Sequence, residues 1–361
     1  MTKALSLPKP PLAEKRPIDR AIQGDSTVDE YYWLRHRDDS AVTAYLEAEN
    51  EYTSAVMRDT KLLQETLYQE MRGRIAEADT TVPERVDDYF YYTRFDPGKE
   101  YALLCRRRGK MDAPEEVLLD ENVLAEERAF MRIGAQRVSP DHRYLAYIVD
   151  STGAESFTLF IKDLVSRELL ADRIEAVYYG LEWGNDSQTL FYTRHDTTLR
   201  PDRLYRHQLG AIPADDELVF HEPDASFFLT LRKTRSKAYL LIALKGRTTD
   251  ETWVIPAERP NSSPLVVEPR RQGVEYSVDH HSQQFIIVTN QDAQDFRVVY
   301  APLAEPGGGN WREVIPHQGG TKIDSVEPFR RHLVICCRQD GLEQLRVVSL
   351  TESGEPEGDA Y

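Results

Sequence analysis

The sequence predicts an all-β fold: a β-propeller with six readable blade units, preceded by an N-terminal helical segment. Two independent markers keep step along the chain. Strand-like cores begin at Tyr89, Leu145, Leu190, Tyr239, Phe285 and Leu333, at intervals of 56, 45, 49, 46 and 48 residues. Their partner runs begin at Tyr101, Phe157, Asp202, Glu251, Phe296 and Glu343, at intervals of 56, 45, 49, 45 and 47. A third apolar stretch follows in four units, at 117–119, 218–220, 265–267 and 314–315. A steady period with several strands per unit is the signature of a propeller. The alternative is a β-sandwich with evenly spaced hairpins, but sandwiches seldom hold one period over so many units. No Trp-Asp dipeptide occurs, so the units are not WD40 repeats.

The N-terminal part reads differently. Residues 1 to about 20 carry prolines at 8, 10, 11 and 17 without periodicity and read as an extended arm. Asp38-Asp39-Ser40 offers N-cap candidates for a helix over about 41–58. Thr60 is placed to cap a second helix, in which Leu63, Leu67, Met71 and Ile75 fall every four residues. Residues 1–78 are therefore expected to form an arm and helices, and residues 79–361 a propeller that is incomplete at its C-terminus.

The unit richest in signal shows how each blade is built. Ser139-Pro140-Asp141 forms a turn, since proline fixes φ there. It feeds a strand over 144–149 whose aromatic and β-branched residues suit a pleated surface. A second strand over 157–164 closes the hairpin. Turn signals recur between units at Pro97-Gly98, Asn185-Asp186, Arg200-Pro201 and Gly307-Gly308-Gly309-Asn310.

Composition narrows the function. The net charge of −16, from 45 basic and 61 acidic residues, argues against non-specific nucleic-acid binding. No apolar run approaches a membrane span, and the N-terminus lacks the apolar stretch of a signal peptide. Cys105, Cys336 and Cys337 make an odd count without framework spacing, which fits a reducing cytoplasm and buried thiols.

The sequence assigns no catalytic, cofactor-binding or metal-binding residue. The Gly-x-Ser-x-Gly elbow that exposes a nucleophilic serine is absent; Gly24-Asp25-Ser26 has Val28 where the second glycine would stand. His280 and His281 are adjacent, so on a strand they point to opposite faces and suit no shared metal. His195, Asp196 and Asp202 lie close in sequence and read as solvated loop residues, with a metal site there as the functional alternative. Gly307-Gly308-Gly309 precedes no Lys-Ser or Lys-Thr and reads as a hairpin loop, not a phosphate cradle. Arg106-Arg107-Arg108 and Arg270-Arg271 read as solvated strand ends, with a partner-domain anchor as the functional alternative.

Asp29-Glu-Tyr-Tyr-Trp-Leu-Arg35 followed by Tyr45-Leu-Glu-Ala-Glu-Asn50 resembles the N-terminal segment of the prolyl oligopeptidase family of serine peptidases, oligopeptidase B in particular. Glu116-Val-Leu-Leu-Asp120, Tyr205-Arg-His-Gln-Leu-Gly210 and Glu275-Tyr-Ser-Val-Asp-His280 extend the resemblance to the end of the chain. Gln23-Gly24 departs from it, where members commonly carry His-Gly. The resemblance implies an arm packed on a C-terminal α/β-hydrolase domain, with a seven-bladed propeller that caps the active site and admits only short peptides. It places the Ser, Asp and His of the triad in the hydrolase domain, outside the matched stretch, so the chain alone is expected to be inactive. The complete enzyme would cleave short peptides after Arg or Lys, without metal or cofactor, and the partner implied is the catalytic domain. A six-bladed propeller acting alone as a binding scaffold is the rival. Its weakness is the arm, whose aromatic helices are patterned to cover something else. A six-bladed metal-dependent hydrolase would need inward carboxylates and histidines, and no such set stands out.

Overall fold

The structure is a computed structural model and describes residues 8–352 and 354–357; expectations that fall on 1–7, 353 and 358–361 lie outside the described residues. Its contacts divide the chain into two units. The first takes the chain up to Asp79 with Asp96–Gly98, and the second takes Thr80–Phe95 and the chain from Lys99 onward.

In the first unit the expected arm contains a β-hairpin. Ile18–Ile22 pairs antiparallel with Asp25–Asp29 through a two-residue turn. Gln23 and Gly24 both have positive φ, 54° and 90°, the backbone that suits the twist of a tight hairpin. Sequence reading missed it because both strands are largely exposed and show no apolar face. Helix α1 spans Ser40–Met57, and the Asp39 side chain accepts from the Ala41 N–H at 2.8 Å as its cap. Helix α2 spans Lys61–Arg72. Thr60 does not cap it, because a 3-10 turn at Arg58–Thr60 joins the two helices and the Thr60 hydroxyl donates to the Met57 carbonyl instead. Trp33 is buried; its indole N–H donates to the Glu14 carbonyl at 2.9 Å, and the Arg16 guanidinium lies 4.3 Å from the ring centre. Leu63, Leu67 and Met71 stay exposed on α2. No helix among the described residues is long and apolar enough to cross a membrane.

The second unit is the propeller. Five four-stranded antiparallel sheets and a sixth of three strands follow one another, each running in chain order from its first strand to its last. The blades occupy residues 84–120, 132–177, 181–221, 228–268, 276–315 and 321–349. The expected third strands are present at Glu116–Asp120, Glu217–His221, Leu265–Glu268 and Arg312–Ile315.

The second strand of each central blade is apolar on both faces. In Tyr144–Asp150 every residue is buried. Ala146 and Ile148 join Trp183, Leu190 and Tyr192 of blade 3, while Leu145, Tyr147 and Val149 join Leu118 and Leu119 of blade 1. The same division repeats at the junctions of blades 3 and 4, 4 and 5, and 5 and 6. The core is thus a series of apolar clefts, each shared by two neighbouring blades.

This packing corrects the register read from sequence. Leu145, Leu190, Phe285 and Leu333 all face the preceding blade. Tyr239 does not; it packs toward blade 5, and Leu240 takes the equivalent place. Tyr89 likewise faces blade 2, 4.7 Å from the His142 ring, and Phe90 is the matching residue. The equivalent set is therefore Phe90, Leu145, Leu190, Leu240, Phe285 and Leu333. A strand buried on both sides reads as a continuous apolar run, without the alternation that would fix its register.

The turn after each first strand shares a construction in blades 2, 3 and 4. The backbone N–H of Ser139, Gly184 and Thr234 donates to the carbonyl of Tyr144, Thr189 and Tyr239. His142, Ser187 and Lys237 sit at positive φ three residues into these turns. Leu240→Ala should cost about 2–5 kcal/mol of stability, as for a fully buried leucine. Phe228→Ala in the same blade, exposed to 52%, should cost about 1 kcal/mol or less. Denaturant unfolding separates the two, and equal costs would refute the placement of Leu240 in the cleft between blades 3 and 4.

Candidate functional site

The first strands line a cavity of about 700 Å³ walled by blades 1 to 4. Glu84, Arg137, Glu182, Lys233 and Lys237 are among its charged residues, and Tyr91, Leu104, Leu145 and Trp183 among its apolar ones. Ser139, Asn185 and Lys237, from the turns after the first strands of blades 2, 3 and 4, are part of its lining.

Once the blades are in register, the first strands show a repeated charge. The residues paired with Tyr91, Ala146, Phe191, Leu241, Ile286 and Val334 are Glu84, Arg137, Glu182, Arg232, Asp279 and Glu327. One ionisable group thus stands at the same place in every blade, and its sign alternates from blade 1 to blade 5. Neighbours pair across blades: Arg137 Nε lies 2.9 Å from Glu182 Oε1, and Arg232 Nη1 lies 3.6 Å from Asp279 Oδ2. Further bridges skip blades. Arg235 reaches Glu327 at 3.3 Å, and Lys237 reaches Asp87 at 3.7 Å. Asp87 also lies 3.2 Å from His142 Nε2. Partly exposed pairs of this kind add little stability each; their effect is a channel wall of fixed, alternating charge.

Lys233 stands apart. Its ammonium lies 2.8 Å from Asn185 Oδ1, and burial lowers its pKa from the ordinary lysine value. Sequence reading singled out none of these channel residues. Their signal is positional: a charged residue at one fixed offset before each turn.

The residues that sequence reading weighed as sites are structural. His280 and His281 do point to different neighbours. His280 Nδ1 lies 2.8 Å from Ser236 Oγ in blade 4, and His281 Nε2 lies 3.3 Å from the Arg330 carbonyl in blade 6. Burial lowers the His280 pKa. Asp202 is a buried strand residue, not a solvated loop group, whereas Asp196 is a partly exposed loop residue. Asp196 accepts from the Thr198 hydroxyl and pairs with Arg200 at 3.0 Å, and the buried Asp202 pairs with Arg203 at 3.0 Å. His195 Nδ1 lies 2.7 Å from the Asp196 carbonyl. Gly308–Asn310 forms a short 3-10 turn, and the Gly308 N–H donates to Glu268 at 2.6 Å.

Arg106 and Arg270 correct the expectation of solvated strand ends. Arg106 is buried, pairs with Glu116 at 2.7 Å and donates to the His142 carbonyl of blade 2 at 2.7 Å. Arg270 lies over the Phe227 ring at 4.0 Å and bridges Glu251 of its own blade to Glu222 of blade 3. Both arginines tie neighbouring blades together. The thiols of Cys105 and Cys337 are buried, and Cys336 is half-buried.

Radial four-stranded blades around a charged channel define a β-propeller built to surround a passage. The family described as "Prolyl oligopeptidase, N-terminal beta-propeller domain" matches residues 10–358, and the chain belongs to that family. It is 36% identical over 347 residues to Protease 2 of Moraxella lacunata, a match that covers 94% of this chain and 50% of that protein. It is 34% identical to Dipeptidyl aminopeptidase BI of Pseudoxanthomonas mexicana, over 98% of this chain and 51% of that one. Among solved structures, oligopeptidase B from Leishmania major superposes with a TM-score of 0.89 at 27% identity, covering 96% of this chain and 52% of that chain. The chain therefore spans about half the length of these relatives and aligns with their N-terminal propeller part.

The bridge at Arg270 yields a test. Arg270→Met strands two buried carboxylates and should cost about 3–5 kcal/mol. Burial raises the Glu251 pKa, but hydrogen bonds from Arg270 and Trp253 outweigh it and hold the folded value below 4.5. A depressed folded pKa stabilises above the unfolded value, and that contribution is lost as pH falls through the folded one. Wild-type stability should drop as pH falls below 4.5, and the variant should drop less steeply, as read by denaturation at a series of pH values.

Proposed function

We propose that this chain is the gating propeller of a serine-type oligopeptidase that, when complete, cleaves short peptides after Arg or Lys. The observation that carries the reading is the family match over residues 10–358, together with the channel cavity of about 700 Å³. A channel walled by rigid blades admits an extended peptide and excludes a folded protein, which is how such a domain would restrict substrates by size. The acid–amide chemistry belongs to an α/β-hydrolase domain carrying a Ser-His-Asp triad, which is the partner proposed for this chain. Residues 1–78 serve as the arm that packs on that domain, and the exposed Leu63, Leu67 and Met71 of α2 supply its apolar face. Residues 79–361 serve as the propeller. An odd count of three cysteines without framework spacing favours a cytoplasmic location.

The similarity to Dipeptidyl aminopeptidase BI supports a second specificity, release of dipeptides from the amino end, at nearly the same identity as the match to Protease 2. The two differ in the products formed from one unblocked peptide containing an internal arginine.

The purified chain should leave arginyl and lysyl p-nitroanilides intact and take up no serine-directed phosphonate. A hydrolase domain of this family, expressed separately, should cleave after Arg or Lys when the chain is added. Leu63→Asp with Leu67→Asp should weaken that association at least tenfold while leaving the thermal melt of the chain within about 1 kcal/mol, as for exposed positions. Stoichiometric labelling of a serine in the chain alone would defeat the proposal.

A further inference from the structure

Lys233 occupies a place that blades 2 and 3 fill with apolar side chains, and that blades 1 and 5 fill with Arg85 and His280. It pairs with Leu240, as Val138 pairs with Leu145 in blade 2 and Trp183 with Leu190 in blade 3. That position faces the cleft to the preceding blade. Blade 4 puts an ammonium there, and its hydrogen-bond partner, Asn185 Oδ1, is neutral. The carboxylates of Glu182, Glu258 and Asp186 act on it from beyond contact distance and none forms an ion pair with it; a partly desolvated charge without a contact partner is costly, and such groups concentrate at binding sites.

The cavity in front of Lys233 is otherwise balanced. Arg137 is paired with Glu182 and Lys237 with Asp87. What remains without an ion pair among the described residues is one ammonium, Lys233, and two carboxylates, Glu84 and Glu258, of which Glu258 accepts from Asn185 Nδ2 at 2.8 Å. An ammonium has three donors, and Asn185 uses one, so two are left for an incoming carboxylate.

We propose that this cavity binds a short peptide with a free C-terminal carboxylate, the carboxylate seated on Lys233 and a cationic group of the peptide directed to Glu84 and Glu258. The volume of about 700 Å³ suits a ligand of a few residues, and Trp183 and Tyr91 supply apolar wall for its backbone and side chains. The choice of a peptide over another carboxylate rests on the oligopeptidase reading. On that reading the site matches a product, because cleavage after Arg or Lys leaves an amino-side fragment with both a terminal carboxylate and a cationic side chain. The channel then holds product as well as admitting substrate.

The test is titration calorimetry on the full chain at low ionic strength. The probes are N-acetyl-Ala-Ala-Arg with a free carboxylate, its C-terminal amide, and the citrulline acid that lacks the cation. The acid should bind at least tenfold more tightly than the amide, and more tightly than the citrulline acid. Lys233→Met should bring the acid down to the level of the amide. Asn185→Asp, which puts a carboxylate in contact with Lys233, should do the same without removing the lysine, and so guards against a Lys233→Met chain that fails to fold. Lys61→Met should leave the preference intact. Equal affinity for acid and amide, no binding of either, or an acid preference that survives in a folded Lys233→Met or Asn185→Asp chain would overturn the proposal. Binding is read without turnover, so failure here is distinguishable from failure of the catalytic reading.

Discussion

The second unit depends on one constraint: the middle of each blade must be apolar on both faces. A second strand such as Tyr144–Asp150 has no solvent side. Its neighbours in the sheet cover its edges, and two other blades cover its faces. Burying an aliphatic or aromatic side chain of this kind contributes about 1.5–3 kcal/mol, and each blade contributes several to either cleft. No blade can satisfy both faces by itself, so the blades are stable as a stack and marginal alone. The polar ties are placed where this stacking leaves backbone groups and charges unserved. Arg106 serves the His142 carbonyl, the indole of Trp183 serves the Arg137 carbonyl at 3.0 Å, and Arg270 neutralises Glu222 and Glu251.

The same constraint decided what the sequence could reveal. Blade number and spacing were legible, because two strand runs and often a third recur at nearly constant intervals. Register was not, because Tyr239-Leu240-Leu241 offers an apolar residue to either cleft and alternation never appears. Shifting blades 1 and 4 by one residue required the cross-blade contacts of Tyr89 and Tyr239. The hairpin at residues 18–29 was illegible for the opposite reason: its strands bury almost nothing, so they leave no pattern. Arg106 and Arg270 were misread because adjacent arginines look solvated in sequence, whereas one of each run turns inward to a carboxylate of its own blade and, for Arg270, also to one of the preceding blade.

The channel was the least legible part. Its charges lie one per blade, 45 to 53 residues apart, and no local motif joins them. They become a set only after the blades are aligned, and alignment needed the register correction. Lys233 was harder still, since its oddity lies in what Val138 and Trp183 do at the same place in other blades.

The ring from Glu84 to Glu327 also bears on how the chain finds its register during folding. A first strand that slipped by one residue against the second would rotate its charged residue into the cleft reserved for side chains such as Val138 and Trp183. Apolar positions alone would barely resist the slip, since the second strand is equally greasy on both sides. The charge makes the slipped pairing expensive in blades 2 and 3, where that place is apolar, and less so in blades 1, 4 and 5, which already put Arg85, Lys233 and His280 there. One ionisable residue per repeat thus acts as a proofreading mark, written in the layer of the blade where an error would be most costly to bury.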